Sequence, residues 1–415
     1  MTETIGSDYL QNACNRYFCS QIVKLHGKLT AMFTRYLQNR MPEASFFLFG
    51  PRQVGKSTLL HSERPHLIID LLDPEFQLSY NKNPNLLRQQ LDDLAPGEYQ
   101  KILIDEIQRV PKLLDIVHAI MEKRPELQFI LCGSSARKLR HGASNLLGGR
   151  ALYRTMHPLT LNELSDDFNL QWVLAYGSLP KIYSTLKQKK IVGAQDLLRA
   201  YAITYLREEI KAEALVRNLQ GFQNFLDIAV AQYGEKINFS SVARDCQVAL
   251  STVREYYTIL EDTLIGFFLY PYLKNQRKRM SHQPKFYFFD NGVTRALLGS
   301  LQDPPNGKEQ GRLFEQWILQ EIIRLNEYQQ KDWKLSFWRT SHGAEVDLLI
   351  SRGTKLLYAI ECKYTKHPST SHLSGMRSFH KKHTDVPCYI VAPVNQPSRL
   401  SFARVLPLHR LLQEL

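Results

Sequence analysis

Phe46–Leu60 reads FFLFGPRQVGKSTLL, and this stretch decides the architecture of the N-terminal part of the chain. Phe46 to Phe49 are apolar without interruption, as in a strand covered on both faces. Gly50, Pro51, Arg52, Gln53, Val54, Gly55, Lys56, Ser57 and Thr58 follow in the GxxxxGK[ST] spacing, and the apolar pair Leu59–Leu60 continues into a helix. A loop of this kind wraps backbone N–H groups around phosphates, brings its lysine to the β- and γ-phosphates and places its hydroxyl on Mg²⁺. The expected ligands are therefore ATP, held by residues 50–58, and Mg²⁺, held in part by Ser57. A plain glycine turn bearing a surface lysine would leave the next signal unexplained.

That signal is KILIDE, Lys101–Glu106. Ile102 to Ile104 read as a short buried strand, closed by Asp105 and Glu106. Asp105 is the expected second Mg²⁺ ligand, and Glu106 the group that polarises attacking water. An acidic pair in isolation more often caps a helix; after a phosphate loop, catalysis is favoured. A further apolar strand, Leu127–Cys132, runs into Gly133, Ser134 and Ser135. Ser134 is the candidate to sense the γ-phosphate, although Ser135 is equivalent on sequence and a helix-cap hydroxyl competes with either role. Asp70 and Asp73, after the second strand, serve either the nucleotide or turn chemistry.

Apolar segments near 46–49, 67–71, 102–104 and 127–132 alternate with helical patterns near 57–63, 83–94, 112–122 and 136–140, which specifies an α/β nucleotide-binding domain. Leu29, Met32, Phe33 and Leu37 form an apolar stripe ahead of it. Arg150, closing LLGGR, is a candidate to enter a neighbouring subunit and stabilise γ-phosphate charge, in which case turnover requires a homo-oligomer. Arg137 and Arg140 face DNA or solvent.

The length of 415 residues accommodates several domains. Boundaries are expected after His157-Pro158 and near 280, giving 1–158, 159–280 and 281–415. The middle part is helical and closes in a winged-helix pattern. Ser240–Asp245 and Ser251–Leu260 make two helices, Leu264–Tyr270 a strand or wing, and Lys274, Arg277, Lys278 and Arg279 a basic run. A second helix of this type enters a major groove while nearby basic groups hold phosphate; winged helices also bind protein partners.

The last part carries a second constellation. Glu345-Val346-Asp347 opens one strand, and Leu356–Ile360 leads into Glu361-Cys362-Lys363 on the next. Residues two apart share a strand face, so Glu361 and Lys363 project together, and one hairpin brings Asp347 beside them. Two carboxylates bind Mg²⁺ or Mn²⁺, and a lysine orients water or neutralises phosphate. This Asp…Glu-x-Lys arrangement resembles the restriction-endonuclease-like core, with Glu315 on the preceding helix as a further metal ligand and Glu345 less certain. A fold of this kind can persist after its chemistry is lost.

Taken together, GPRQVGKST at 50–58, LIDEIQ at 103–108, GSSA at 133–136, LLGGR at 146–150, YLREEI at 205–210, KFYFFDNGV at 285–293 and GAEVDLLI with ECK at 343–363 resemble a prokaryotic family of AAA-type ATPases with a C-terminal domain of unknown function. The resemblance spans nearly the whole chain and implies an AAA-type ATPase fold with ATP as substrate.

A net charge of +13 and a pI near 9.3 favour DNA or RNA as a partner, with Lys366, Arg377, Lys381 and Lys382 placed to follow a backbone. Six scattered cysteines form no zinc framework and fit a cytoplasmic protein. No membrane partner is expected, since neither a signal pattern nor a transmembrane-length apolar run is evident. Two functions follow: an ATPase that engages nucleic acid and carries nuclease chemistry, or a regulatory ATPase acting through protein contacts with a silent nuclease-like domain.

Overall fold

The computed structural model describes residues 33–92, 99–134, 149–206, 218–273 and 283–415. β1 (Phe46–Phe49), β2 (Leu67–Asp70), β3 (Gln100–Asp105), β4 (Leu127–Gly133) and β5 (Leu152–Thr155) form an all-parallel sheet in the order β2-β3-β4-β1-β5. β1, β3 and β4 are buried nearly throughout because helices cover both faces, which is why they read as unbroken apolar runs. This order sets the site. β4 lies between β1 and β3, so the end of β4 comes out between the phosphate loop and the acidic pair.

Where one helix was expected near 83–94, two are found, Pro74–Lys82 and Leu86–Asp92. The first is signalled by Asp73-Pro74: the aspartate caps by accepting from the Glu75 amide at 2.8 Å, and proline occupies the first turn. Asp70 likewise accepts from the Leu72 amide at 2.9 Å, so turn chemistry accounts for both aspartates. Leu37 is buried in a short 3-10 turn, Tyr36–Asn39. Leu29, Met32, the helix near 136–140, Arg137, Arg140 and the basic run from Lys274 to Arg279 lie outside the described residues.

The middle part is helical from Leu170 to Ala200, and again at Leu219–Ala231, Phe239–Asp245 and Leu250–Asp262. The strand that follows, β6 (Gly266–Pro271), does not end in a detached hairpin. It pairs antiparallel with β7 (Lys285–Phe288) and, at Tyr270 and Pro271, parallel with β8 (Lys334–Arg339). It thereby joins an eight-stranded mixed sheet with β9 (Glu345–Arg352), β10 (Lys355–Cys362), β11 (Cys388–Val391), β12 (Ser398–Leu400) and β13 (Ala403–Leu406), ordered β12-β13-β11-β10-β9-β8-β6-β7. The C-terminal region is thus mixed α/β. Trp338, Leu349, Ile390 and Val405 build its core with Met376 and Phe379 of the helix Ser374–His380.

The long helix Gly307–Gln329 touches both β5 and β10, so it spans from one sheet to the other. Its C-terminal half grips the segment after β5. Arg324 donates to the Leu159 carbonyl at 3.1 Å and pairs with Glu321 at 2.7 Å, while Glu321 accepts from the Leu161 amide at 3.0 Å. The His157 amide donates to the Tyr328 hydroxyl at 3.0 Å. A buried ion pair survives only when its remaining polar atoms are satisfied, and here backbone groups on both sides supply them. Arg35–Leu415 accordingly form one compact unit. Among the described residues, no helix is long and apolar enough to cross a membrane.

Candidate functional site

The phosphate loop leaves β1 at Gly50 and enters the helix Lys56–Ser62 through Gly55, whose φ of 96° only glycine adopts without strain. Arg35, missed in the sequence, holds this loop from behind. Its guanidinium donates to the Val54 and His157 carbonyls and pairs with Glu163 at 3.0 Å. Lys56 is buried and spends two of its ammonium protons on the Gly50 and Pro51 carbonyls, at 2.7 and 2.9 Å. Arg52, Gln53, Gly55, Lys56, Ser57, Thr58 and Glu106 line a cleft of about 280 Å³.

The two expected Mg²⁺ ligands meet: Ser57 Oγ donates to Asp105 Oδ2 at 2.7 Å, and the Glu106 amide donates to Asp105 Oδ1 at 2.9 Å. A hydroxyl and a buried carboxylate are hard oxygen donors, so the pair fits Mg²⁺. Behind them, burial and the adjacent Asp105 push the Cys132 thiol well above its ordinary value. Glu106 itself lies in the left-handed region, at φ 55°. A non-glycine residue there is strained, as at many reactive sites.

Gln108 ties this cluster together. Its amide nitrogen donates to Glu106 Oε2 at 2.5 Å and to Ser134 Oγ at 3.3 Å. A carboxylate only accepts, which fixes the orientation of the amide. The space for it comes from Gly133, where a Cβ would stand 2.4 Å from Gln108 Oε1. The glycine of GSSA is therefore explained by a side chain from the neighbouring strand's loop. Ser134 is buried and joins the cluster, whereas Ser135 lies outside the described residues. Arg150 stands apart and pairs on the surface with Glu122 at 2.8 Å.

In the C-terminal sheet the register setting Ile360 opposite Leu348 carries Glu361 up to Asp347. Asp347 Oδ2 accepts from the Cys362 amide at 2.8 Å, and Lys363 Nζ lies 2.7 Å from Glu361 and 3.8 Å from Asp347. Sequence reasoning missed Lys285. It opens β7, is 5% exposed and is paired with Glu345 at 2.7 Å and Glu315 at 3.3 Å. Glu315 also accepts from the Tyr287 hydroxyl, and Glu345 pairs with Arg339 at 2.6 Å.

Burial, followed by the Glu315 charge, pushes the Asp347 carboxyl up to about 6; burial, followed by Asp347, pushes Glu361 up to about 8. Burial opposes the Lys363 charge, but Asp347 and Glu361 outweigh it and hold that ammonium above its ordinary value. Among the described residues, no group of three or more His, Cys, Asp or Glu side chains is placed to hold a metal ion. Glu315, expected as a further metal ligand, is engaged here by Lys285 and Tyr287. What fits one divalent cation is the Asp347–Glu361 pair, since the buried Glu361 Oε2 has no hydrogen-bond partner among the described residues.

Comparison with known proteins finds three matches to family models along the chain. Residues 43–165 match an AAA domain, 168–303 a domain of unknown function (DUF8612) and 310–411 another (DUF4143). The chain thus carries an N-terminal AAA-type ATPase domain, to which ATP binding and hydrolysis belong, followed by two uncharacterised domains. An uncharacterized protein of Methanocaldococcus jannaschii is 25% identical over 82% of this chain and 80% of its own. Two solved structures, Drosophila ORC bound to GC-rich DNA and Cdc6 and Drosophila ORC bound to DNA, are 12% and 13% identical. Both cover 78% of this chain, and 70% and 65% of theirs, at TM-scores of 0.21, too low to carry an argument.

Proposed function

We propose that this chain is an ATP-driven switch that engages nucleic acid and, in its C-terminal part, hydrolyses phosphodiester bonds with a divalent cation. The observation that carries the reading is the convergence of Asp347, Glu361 and Lys363 on adjacent strands, with one buried carboxylate oxygen unpartnered.

In the ATPase part, residues 50–58 cradle the phosphates, and Lys56 turns from the loop carbonyls to the β- and γ-phosphates. Ser57 and Asp105 would hold Mg²⁺, which when bound would neutralise charge on the phosphate oxygens. Glu106 takes a proton from water as it attacks, and Ser134 contacts the γ-phosphate. Arg150 leaves its exposed pair with Glu122 to serve a second copy's site, because a surface ion pair is worth little.

In the C-terminal part, Asp347 and Glu361 would hold the cation, which when bound would polarise the scissile phosphate. Lys363, partly exposed, neutralises that phosphate and orders water beside it. The helices Phe239–Asp245 and Leu250–Asp262 act as the reading head of a winged helix whose wing is the β6–β7 ribbon. Tyr201 supports coupling between the two sites: its hydroxyl donates to the Arg52 carbonyl at 3.4 Å, and its ring meets Phe289, beside β7, at 6.1 Å. On this reading the functional parts are 1–158, 159–280 and 281–415, with β6 lent to the last.

A second reading is a regulatory ATPase that binds a protein partner, its nuclease-like domain silent. The two lysines already paired with the carboxylates favour it. The deciding experiment incubates purified protein with labelled single- and double-stranded DNA and RNA, with Mg²⁺ or Mn²⁺, with and without ATP, beside Lys56→Ala and Asp347→Ala. Cleavage that Asp347→Ala abolishes supports the first reading. ATP turnover with every nucleic acid left intact supports the second.

A further inference from the structure

The C-terminal constellation contains more charge than the Asp…Glu-x-Lys pattern supplies. Four carboxylates, those of Glu315, Glu345, Asp347 and Glu361, face three cations, Lys285, Lys363 and Arg339. Each cation has a definite station. Lys363 sits between Glu361 and Asp347, and Arg339 reaches Glu345 Oε2 from the exposed side at 2.6 Å. Lys285 stands between Glu345 Oε1 and Glu315 Oε1, almost removed from solvent.

A buried ammonium is kept only where carboxylates repay its desolvation. Lys285 has two, plus the Tyr287 hydroxyl that anchors Glu315. At 5% exposure it cannot reach a bulky substrate, so it is a positioning residue. Its station lies between a carboxylate of the helix Gly307–Gln329 and one of β9, the place of a cation bridging two acidic groups. The unpartnered Glu361 Oε2, at the other end of the constellation, marks the place left open for one ion.

We propose that Lys285 is a built-in cation: it holds Glu315 and Glu345, and so limits the C-terminal constellation to one divalent ion, taken by Asp347 and Glu361. This rests on the reading that Asp347 and Glu361 take a divalent cation. Lys285 thereby separates the four carboxylates into a permanently neutralised pair and an exchangeable pair.

The test counts ions rather than turnover. Mn²⁺ is titrated into the nucleotide-free full chain, and bound ions are counted from loss of the free-ion signal in electron paramagnetic resonance. The count that remains in the Asp347→Asn/Glu361→Gln double variant with Lys285 intact is the background, and it is subtracted from every titration. One ion is expected in the wild type and in Lys285→Arg, and two in Lys285→Met. A wild-type count of two, or a folded Lys285→Met that stays at one, overturns the role of Lys285 and leaves the metal reading standing. A wild-type count of zero overturns both. Should Lys285→Met lose its cooperative thermal transition, Lys285→Gln, which keeps a polar group between Glu315 and Glu345 without the charge, replaces it, and a count of one there overturns the role of Lys285.

Discussion

The two constellations are built from the same parts, a strand ending in carboxylates with a lysine nearby, yet they balance charge in opposite ways. At the nucleotide site Lys56 donates to backbone carbonyls, and Asp105 accepts from a hydroxyl and an amide. Neutral partners hold both charges. At the C-terminal site lysines and carboxylates hold one another directly. Identical residue types therefore make an anion cradle in one sheet and a nearly self-neutralised cluster in the other. What distinguishes them is which partner stands within hydrogen-bond reach.

The contrast breaks most sharply if a C-terminal variant silences the nucleotide site. Lys56→Ala is expected to bring ATP turnover to background, and Asp347→Asn to bring nucleic-acid cleavage to background with turnover unchanged; paired phosphate-release and gel assays check both. Next in size, Glu106→Gln should lower ATP turnover by roughly 10²–10⁴, the usual worth of a positioned base, while retaining nucleotide in a fluorescent-analogue titration.

Gln108→Ala sharpens the nucleotide half. The lost hydrogen bond goes to a charged group, worth about 1.5–3 kcal/mol, so kcat should fall by roughly 10- to 100-fold with KM unaltered in steady-state kinetics. A change confined to KM would assign Gln108 to binding instead.

The smallest effect concerns pH. Asp347 and Glu361 have folded pKa values raised above those of an unfolded chain, to about 6 and about 8. The native state therefore binds more protons than the unfolded one, and their contribution is fully present below the unfolded values and lost as pH rises through 6 and 8. In chelator, Tm should fall by a few degrees between pH 5 and pH 8, and Glu361→Gln should flatten that fall in a calorimetric scan.

Much of the nucleotide site was legible because its residues are consecutive. Gly50 to Thr58 must form one loop whatever the rest of the chain does, and apolar runs ending in Asp105 and Gly133 announce strands. Gln108 stood in view within LIDEIQ, but its task depends on the end of β4 lying alongside, which the spacing of one segment cannot state. The helix at Pro74 was signalled by Asp73-Pro74 and passed over because its polar face masks the period.

At the C-terminal site Asp347, Glu361 and Lys363 followed from the two-residue strand period and a hairpin. Lys285 did not, since a lysine at the head of β7 is buried only because β6 and β7 join the same sheet as β9. The same burial brings Lys285 onto Glu315, a pairing that the helix pattern around Glu315 does not announce.

By itself, then, the sequence determined what contiguity and period determine: a phosphate loop, strand-end carboxylates, an α/β nucleotide-binding domain and a mixed C-terminal region. Tertiary structure alone decided the pairings across the chain, Arg35 with Val54, Gln108 with Glu106 and Ser134, and Lys285 with Glu315 and Glu345. The physical reason is that a charge acts over a few ångströms of space. Sheet order and strand register, in which a one-residue slip turns every side chain to the other face, bring such distant residues within reach.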